Sequence, residues 1–340
     1  MSEISTIGFD IAKHVFQVHG ADARGAMVLR RKLRRKEVIG FFADLPPCLV
    51  GMEACASAHY WARQLSALGH EVRLMPPEYV KAYVRRQKND AADAEACCEA
   101  VGRPSMRFVP IKSEDQQSVL MLHRARDLLV RQRTMVMNAL RGHLAEFGII
   151  ARQGVGGMDE LLELLENAED GSVPELARTA LLPLAGQLRD LRVRINELDR
   201  QIHAWHRCNA QSRRLETVPG VGPITASAIV ATVGDLSCFK SGRQFAAWLG
   251  LVPRQNSTGG KERLGRITRA GDPYLRRLLV VGAHAVLRFS GNARTALTRW
   301  AAELLAKNKH YTVAAVALAN KMARVIWAMM VRGEEFRAAA

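Results

Sequence analysis

The sequence lacks the marks of several common protein classes. Its six cysteines (Cys48, Cys55, Cys97, Cys98, Cys208, Cys238) include no Cys-x-x-Cys pair and no histidine at zinc-ligand spacing. That excludes a zinc-finger frame and reads as reduced, mostly buried thiols of a cytosolic protein. No charge-free apolar run reaches membrane-spanning length. Ala314–Val331 comes nearest, and Lys321 and Arg324 interrupt it, so no membrane partner is expected. No signal peptide is evident at the N-terminus, and a cytoplasmic location in a bacterium is expected. Internal repeats and low-complexity segments are absent. Negative charge is in short supply: 33 Asp and Glu stand against 49 Lys and Arg, giving +16 at pH 7. Such an excess favours a polyanionic partner, nucleic acid above all, held through phosphate contacts. Hydrophobic content of 48% and charged content of 24% are those of an ordinary globular protein, and 340 residues call for two or three domains.

Residues 1–112 alternate strands and helices. Ile7–Lys13 reads as a short buried strand with Asp10 in its middle, and His14–His19 as a second strand. Gly25–Arg30 is a third. A basic run follows, Arg30, Arg31, Lys32, Arg34, Arg35 and Lys36, which suits a solvated face or a phosphate contact equally. Glu37–Leu45 fits a helix, Cys48–Met52 a strand, Ala56–Leu68 a helix and His70–Met75 a strand. Further helices fit Tyr79–Arg86 and Asp90–Val101. The order implies an α/β sheet with antiparallel and parallel parts.

From 113 to 210 the pattern turns helical. Glu114–Phe147 carries Leu122, Leu129 and Val136 seven apart, Gly154–Gly157 reads as a loop, and from Leu181 the apolar residues Leu184, Leu188, Leu191, Ile195, Leu198, Ile202 and Trp205 follow a heptad seam. The two long helices can pair as a hairpin within one chain, dimerise, or both. From 211 to 340 short helices follow a Gly-rich turn, Val218–Pro223, with a long polar loop after Leu249.

The candidate chemistry starts from Asp10. A carboxylate in an apolar strand is costly unless it is paired or binds a metal. Glu53 ends the fourth strand. Asp90 and Asp93, three apart, project from one face at a helix start, though on their own they are also favourable helix-dipole charges. Four converging carboxylates suit Mg²⁺ or Mn²⁺, and paired ions of this kind serve phosphodiester cleavage. The turn containing Gly220 and Gly222 resembles a helix-hairpin-helix hairpin, where backbone N–H groups approach a phosphate; a purely structural turn is the other reading. The polar stretch Gly250–Arg266 holds Ser257 and Thr258 among Arg254, Lys261, Arg263 and Arg266. Either could be a turn residue or a nucleophile. No Ser-His-Asp arrangement is evident.

Together these motifs resemble the DEDD insertion-sequence transposases, the group that includes Piv-type invertases and the bridge-RNA-guided recombinases of insertion sequence family one-hundred-ten. Ile7–Lys13, Gly51–Ala54 and Lys88–Ala94 look like the acidic motifs of a RuvC-like (RNase H fold) domain. Pro219–Gly222, Gly250–Gly265 and Arg266–Arg277 look like the family's C-terminal transposase domain.

The resemblance implies a RuvC-like domain over 1–112, a coiled-coil stalk over 113–210 and a mostly helical domain over 211–340. It also implies a metal-binding tetrad of Asp10, Glu53, Asp90 and Asp93, with a serine that links covalently to DNA. Ser257 is the candidate, four residues after Pro253; many relatives have Ser-Gly where this chain has Ser-Thr-Gly, so Thr258 is the alternative. Arg30, Arg31, Lys32, Arg34, Arg35, Gly220, Gly222, Arg254, Lys261, Arg263, Arg266 and Arg269 are the expected nucleic-acid contacts. A noncoding guide RNA, double-stranded DNA and a homo-oligomer are the expected partners. The rivals are a metal-only nuclease and a non-catalytic nucleic-acid-binding protein.

Overall fold

The computed structural model describes residues 3–84, 90–261, 263–289, 295–307 and 310–336. The chain divides into two compact units, Met1–Asp115 and Gln116–Ala340. The first boundary expected from sequence lay at 112; the second, at 210, falls inside the second unit.

Unit 1 opens with an antiparallel meander, β1 (Thr6–Asp10), β2 (Val15–Ala21) and β3 (Met27–Arg34). Next come α1 (Val38–Ala43), β4 (Leu49–Glu53), α2 (Ala58–Ala67), β5 (Glu71–Met75), α3 (Pro77–Val80) and α4 (Asp90–Val101). The sheet order is β3-β2-β1-β4-β5, with β4 parallel to β1 and β5 parallel to β4. Asp10 closes β1 rather than lying mid-strand, because the chain leaves the sheet before turning into β2. Of the helix expected over Tyr79–Arg86, only α3 and a 3-10 turn over Lys81–Tyr83 form; Arg85 and Arg86 lie outside the described residues.

Strand alternation gives the sheet two unlike faces. Ile7, Phe9, Phe16, Val18 and Leu33 bury one of them with Val38 and Phe42 from α1, and Trp61 and Leu65 from α2. Its aromatic centre packs Phe9 against Phe16 at 5.4 Å and against Phe42 at 5.2 Å between ring centroids. The other face receives α4, which packs on β1, β2 and β4.

Unit 2 contains α5 (Glu114–Ala145, which begins two residues before the boundary), α6 (Val155–Glu166), α7 (Glu175–Cys208), α8 (Ala210–Glu216), α9 (Pro223–Val233) and α10 (Gly242–Trp248). A hairpin of β6 (Pro253–Gln255) and β7 (Leu264–Ile267) follows, then α11 (Pro273–Arg288), α12 (Ala296–Ala306) and α13 (Tyr311–Arg332). Two corrections to the sequence reading stand out. Gly154–Gly157 is not a loop: Gly154 is the N-cap of α6 and residues 155–157 belong to its first turn, and its Met158, Leu161, Leu162 and Leu165 bury one face. The 250–266 stretch is not a loop but a β-hairpin.

Much of the heptad seam of α7 is covered within the chain. Leu181, Leu188 and Leu191 share a core with Val136, Leu140 and Leu144 of α5 and the apolar face of α6. Helix α13 is long and apolar enough to cross a membrane. However, Ala315, Leu318, Ala319, Met322 and Ile326 are buried in the core around α9 and α11, which is the position of a core helix.

Candidate active site

Two glycines bring the carboxylates of unit 1 towards one another. Gly8 precedes Asp10 by two residues, and Gly51 precedes Glu53 by two. Each glycine therefore shares a sheet face with its carboxylate. That face is the one α4 covers. A Cβ on Gly8 would lie 1.9 Å from the Ala94 carbonyl oxygen and 2.4 Å from the Cys98 nitrogen. A Cβ on Gly51 would lie 2.6 Å from Val101 Cβ. With no side chain at either place, the backbone of α4 settles directly onto the sheet, and its first turn carries Asp90 and Asp93. The signal missed in the sequence is the repeated Gly-x-Asp and Gly-x-Glu, Gly8-Phe9-Asp10 and Gly51-Met52-Glu53, at two strand ends.

The electrostatics record the result. Burial pushes the Asp10 carboxyl up to about 6, and the negative charges of Asp93, Asp90 and Glu53 push the same way. Burial, then Asp93, raises Glu53. Four like charges held this way favour the arrival of a cation. The donors are all hard carboxylate oxygens, the chemistry that suits a divalent ion such as Mg²⁺. Among the described residues no three His, Cys, Asp or Glu side chains are grouped tightly enough to hold a metal, so the donor type fits and a closed coordination shell is not preformed.

In unit 2 the Ser257 hairpin turns through Gly259 and Gly260, with φ of 55° and 76°. Two successive positive φ values are what a tight two-residue turn requires. Lys261 N donates to the Thr258 carbonyl at 3.1 Å. Ser257 Oγ accepts from the Arg263 backbone N–H at 3.3 Å and is exposed, as is Thr258. Arg254, Lys261, Arg263 and Arg266 are exposed as well, and among the described residues none pairs with a carboxylate.

The hairpin's base is clamped. A Cβ on Gly271 (φ 67°) would lie 1.8 Å from the Trp248 carbonyl oxygen, and one on Gly250 (φ 70°) 2.4 Å from that of Ala270. Arg276 donates to the Leu249 and Ala270 carbonyls at 2.9 and 2.7 Å. Arg269 is held at φ 57°, a strained conformation for a residue with a side chain. Asp272 caps α11 by accepting from the N–H groups of Tyr274 and Leu275.

Gly220 (φ 85°) has a packing reason: its Cβ would lie 2.7 Å from the Gly282 carbonyl oxygen on α11. Gly222, at the N-cap of α9, has open space where a side chain would be. Behind this turn His123 bonds Tyr274 Oη at 3.0 Å and Ser227 Oγ at 3.1 Å, tying α5 to α9 and α11. Burial lowers the His123 imidazole to about 4. A hydroxyl–imidazole–carboxylate chain also exists that the sequence did not suggest. His206 Nδ1 and Nε2 meet Ser212 Oγ at 2.7 Å and Glu216 Oε2 at 2.9 Å. Ser212 is completely buried, so the chain is a helix-corner brace and not a nucleophile.

The basic run of β3 divides by face. The Arg31 guanidinium lies over the Phe41 ring at 5.4 Å, and that of Arg35 over Trp61 at 5.1 Å and Phe16 at 6.0 Å. Arg30, Lys32 and Arg34 are exposed on the α4 side.

Known proteins match this sequence over nearly its whole length. Residues 7–149 match a transposase family of the IS110 DEDD type, and residues 212–309 match the transposase IS116/IS110/IS902 family. A Pseudomonas aeruginosa protein named "Probable family 20 transposase" is 53% identical over 335 residues, covering 98% of this chain and 99% of its own. The chain belongs to the IS110 family of insertion-sequence transposases. The transposase for insertion sequence element IS1328 of Yersinia enterocolitica is 40% identical over 99% of both chains. That for element IS1111A of Coxiella burnetii is 38% identical, covering 100% of this chain and 93% of its own. Membership implies DNA binding, cleavage and transfer with a divalent metal.

Proposed function

We propose that this transposase cuts and rejoins DNA with Ser257 as nucleophile and with Asp10, Glu53, Asp90 and Asp93 as the ligands of a divalent cation, Mg²⁺ or Mn²⁺. The observation that carries the reading is the convergence of three other carboxylate charges on Asp10. A structural role does not require such repulsion. In this reading unit 1 is a RuvC-like, RNase H-type domain, which the sheet order 3-2-1-4-5 supports.

Ser257 Oγ attacks the scissile phosphorus. An O–P bond forms to the serine as the bond to the leaving sugar oxygen breaks, and that oxygen takes up the equivalent of the serine proton. Attack by a new strand's hydroxyl reverses the step, rejoins the DNA and frees the serine. When bound, the cation neutralises the charge that develops on the phosphate. Arg254, Lys261, Arg263 and Arg266, exposed around Ser257, supply positive charge to the same phosphate.

The net charge of +16 supports a second polyanion as well, and a noncoding guide RNA fills that place. On α5, Met121, Leu128 and Met135 lie seven apart and 66, 48 and 70% exposed, a stripe that supports assembly with further copies. The reading places the protein in the bacterial cytoplasm with its DNA.

Strand cleavage of element-end DNA, with co-purified RNA, tests the assignment. Asp10→Asn and Ser257→Ala are each expected to cut at least about 10³-fold more slowly while still binding DNA. A Ser257→Ala protein of full activity refutes the serine and leaves Thr258 or a metal-only nuclease.

A further inference from the structure

The strand register resolves the basic run into two chemically different sets. Directly paired residues on neighbouring strands project to the same face. Asp10 pairs with Gln17, and Gln17 pairs with Lys32. Carboxylate, amide and ammonium therefore stand in one row across three strands, on the face that carries α4. The next row runs Gly8, His19, Arg30, and Val15 pairs with Arg34. Arg30, Lys32 and Arg34 are thus alternate residues on one face, each about 7 Å from the next. That is the reach of one nucleotide in an extended strand. All three are exposed, and among the described residues none forms an ion pair. The intervening Arg31 is committed to an aromatic ring on the other side, as is Arg35 beyond the strand.

Gln17 is the second observation. It is only 7% exposed, yet its side-chain amide makes no hydrogen bond to any described residue. The amide end is not sealed from solvent, and by register it lies between a cation and the carboxylate proposed to act on phosphate. An amide N–H can bind a phosphate oxygen without adding charge.

We propose that Arg30, Lys32 and Arg34, with Gln17, form a track for the sugar–phosphate backbone of the DNA strand that reaches Asp10, and that Arg31 and Arg35 hold the sheet to its core instead. The assignment rests on the reading of Asp10 as part of the cleavage site. It commits to DNA because the row ends at the carboxylate where the cut strand is bound. The unlike roles of adjacent arginines follow from the period of two along β3, which composition alone conceals.

Charge-matched double variants of the full-length protein separate the two sets. Arg30→Gln/Lys32→Gln and Arg31→Gln/Arg35→Gln each remove two positive charges, so non-specific attraction falls equally. The probe is a short labelled single-stranded DNA of mixed sequence, titrated at several salt concentrations, with RNA of the same sequence in parallel. The track variant is expected to lose about tenfold in DNA affinity, and its slope of log K against log salt is expected to fall by about 1.4, two phosphate contacts' worth. The ring-stacked variant is expected to keep the wild-type slope and to melt several degrees lower. Gln17→Leu is expected to melt within a few degrees of wild type and to bind DNA a few-fold more weakly.

Equal slopes for the two double variants overturn the proposal, as does a track variant that loses only RNA binding. Cleavage by Asp10→Asn separates the two levels. If that variant still cuts, the reading of Asp10 fails whatever the slopes. If it is inactive and the double variants bind alike, the track alone fails.

Discussion

The carboxylates of unit 1 and the serine hairpin of unit 2 differ in how much structure stands behind each side chain. Asp10 and Glu53 end adjacent parallel strands whose glycines admit α4 at backbone contact distance. Their placement is fixed by the packing of a sheet on a helix, and the same packing forces like charges together. Ser257 sits on an exposed two-stranded ribbon, one residue from the turn, with a single backbone donor on its hydroxyl. Its order comes from the clamped base, not from burial. A metal site benefits from rigid ligands whose repulsion the ion relieves. A nucleophile that must meet a phosphate, and later release it, benefits from exposure and a pliable support.

This contrast yields graded expectations for stability. The largest is at Gly8. Gly8→Ala forces a methyl into the Ala94 carbonyl and is expected to cost about 3 kcal/mol in urea unfolding, with loss of cleavage. A near-neutral Gly8→Ala would show that α4 is not held as described.

The next effect belongs to unit 2 and to pH. Folding holds the His123 imidazole near 4, below its unfolded value of about 6.5. The unfolded chain therefore binds the proton first as pH falls. Stability is complete above about pH 6.5 and declines towards pH 4, by about 2 kcal/mol at pH 5. Urea midpoints at pH 7 and pH 5 measure it, and His123→Gln should flatten the dependence. A midpoint indifferent to pH in the wild type would remove His123 from the buried network.

The smallest pair sets the two sites side by side. Asp10→Asn removes a charge disfavoured first by burial and then by the neighbouring carboxylates, and with solvent screening of this half-buried group it is expected to stabilise the metal-free protein by about 1 kcal/mol. Ser257→Ala, on an exposed ribbon, should stay within about 0.5 kcal/mol of wild type. Melting curves in chelator decide; a destabilised Asp10→Asn would mean that the carboxylate is held by favourable contacts.

The sequence made some of this legible and hid the rest for physical reasons. Helix α4 was readable to its ends, since acidic residues open it and small residues run through it. The core strands were readable because their apolar residues alternate. The Ser257 hairpin was not. Arg254, Gln255, Leu264 and Arg266 are all exposed, so no buried face imposes a period of two. Its one local signal was Gly259-Gly260, a two-residue turn pair. Helix α6 showed the spacing of Met158, Leu161, Leu162 and Leu165, masked by Gly156 and Gly157 in its first turn. The basic run looked uniform because only pairing with β2 reveals which arginines share a face with Asp10.

In the proposed mechanism Ser257 becomes joined to DNA in a step that needs Asp10. Incubating the wild-type protein and its co-purified RNA with end-labelled element DNA, denaturing, and mapping any protein–DNA adduct by mass spectrometry tests it directly. The expected result is a phosphoester on Ser257 that is missing from both Ser257→Ala and Asp10→Asn. Cleavage without an adduct, or an adduct on Thr258, would contradict it.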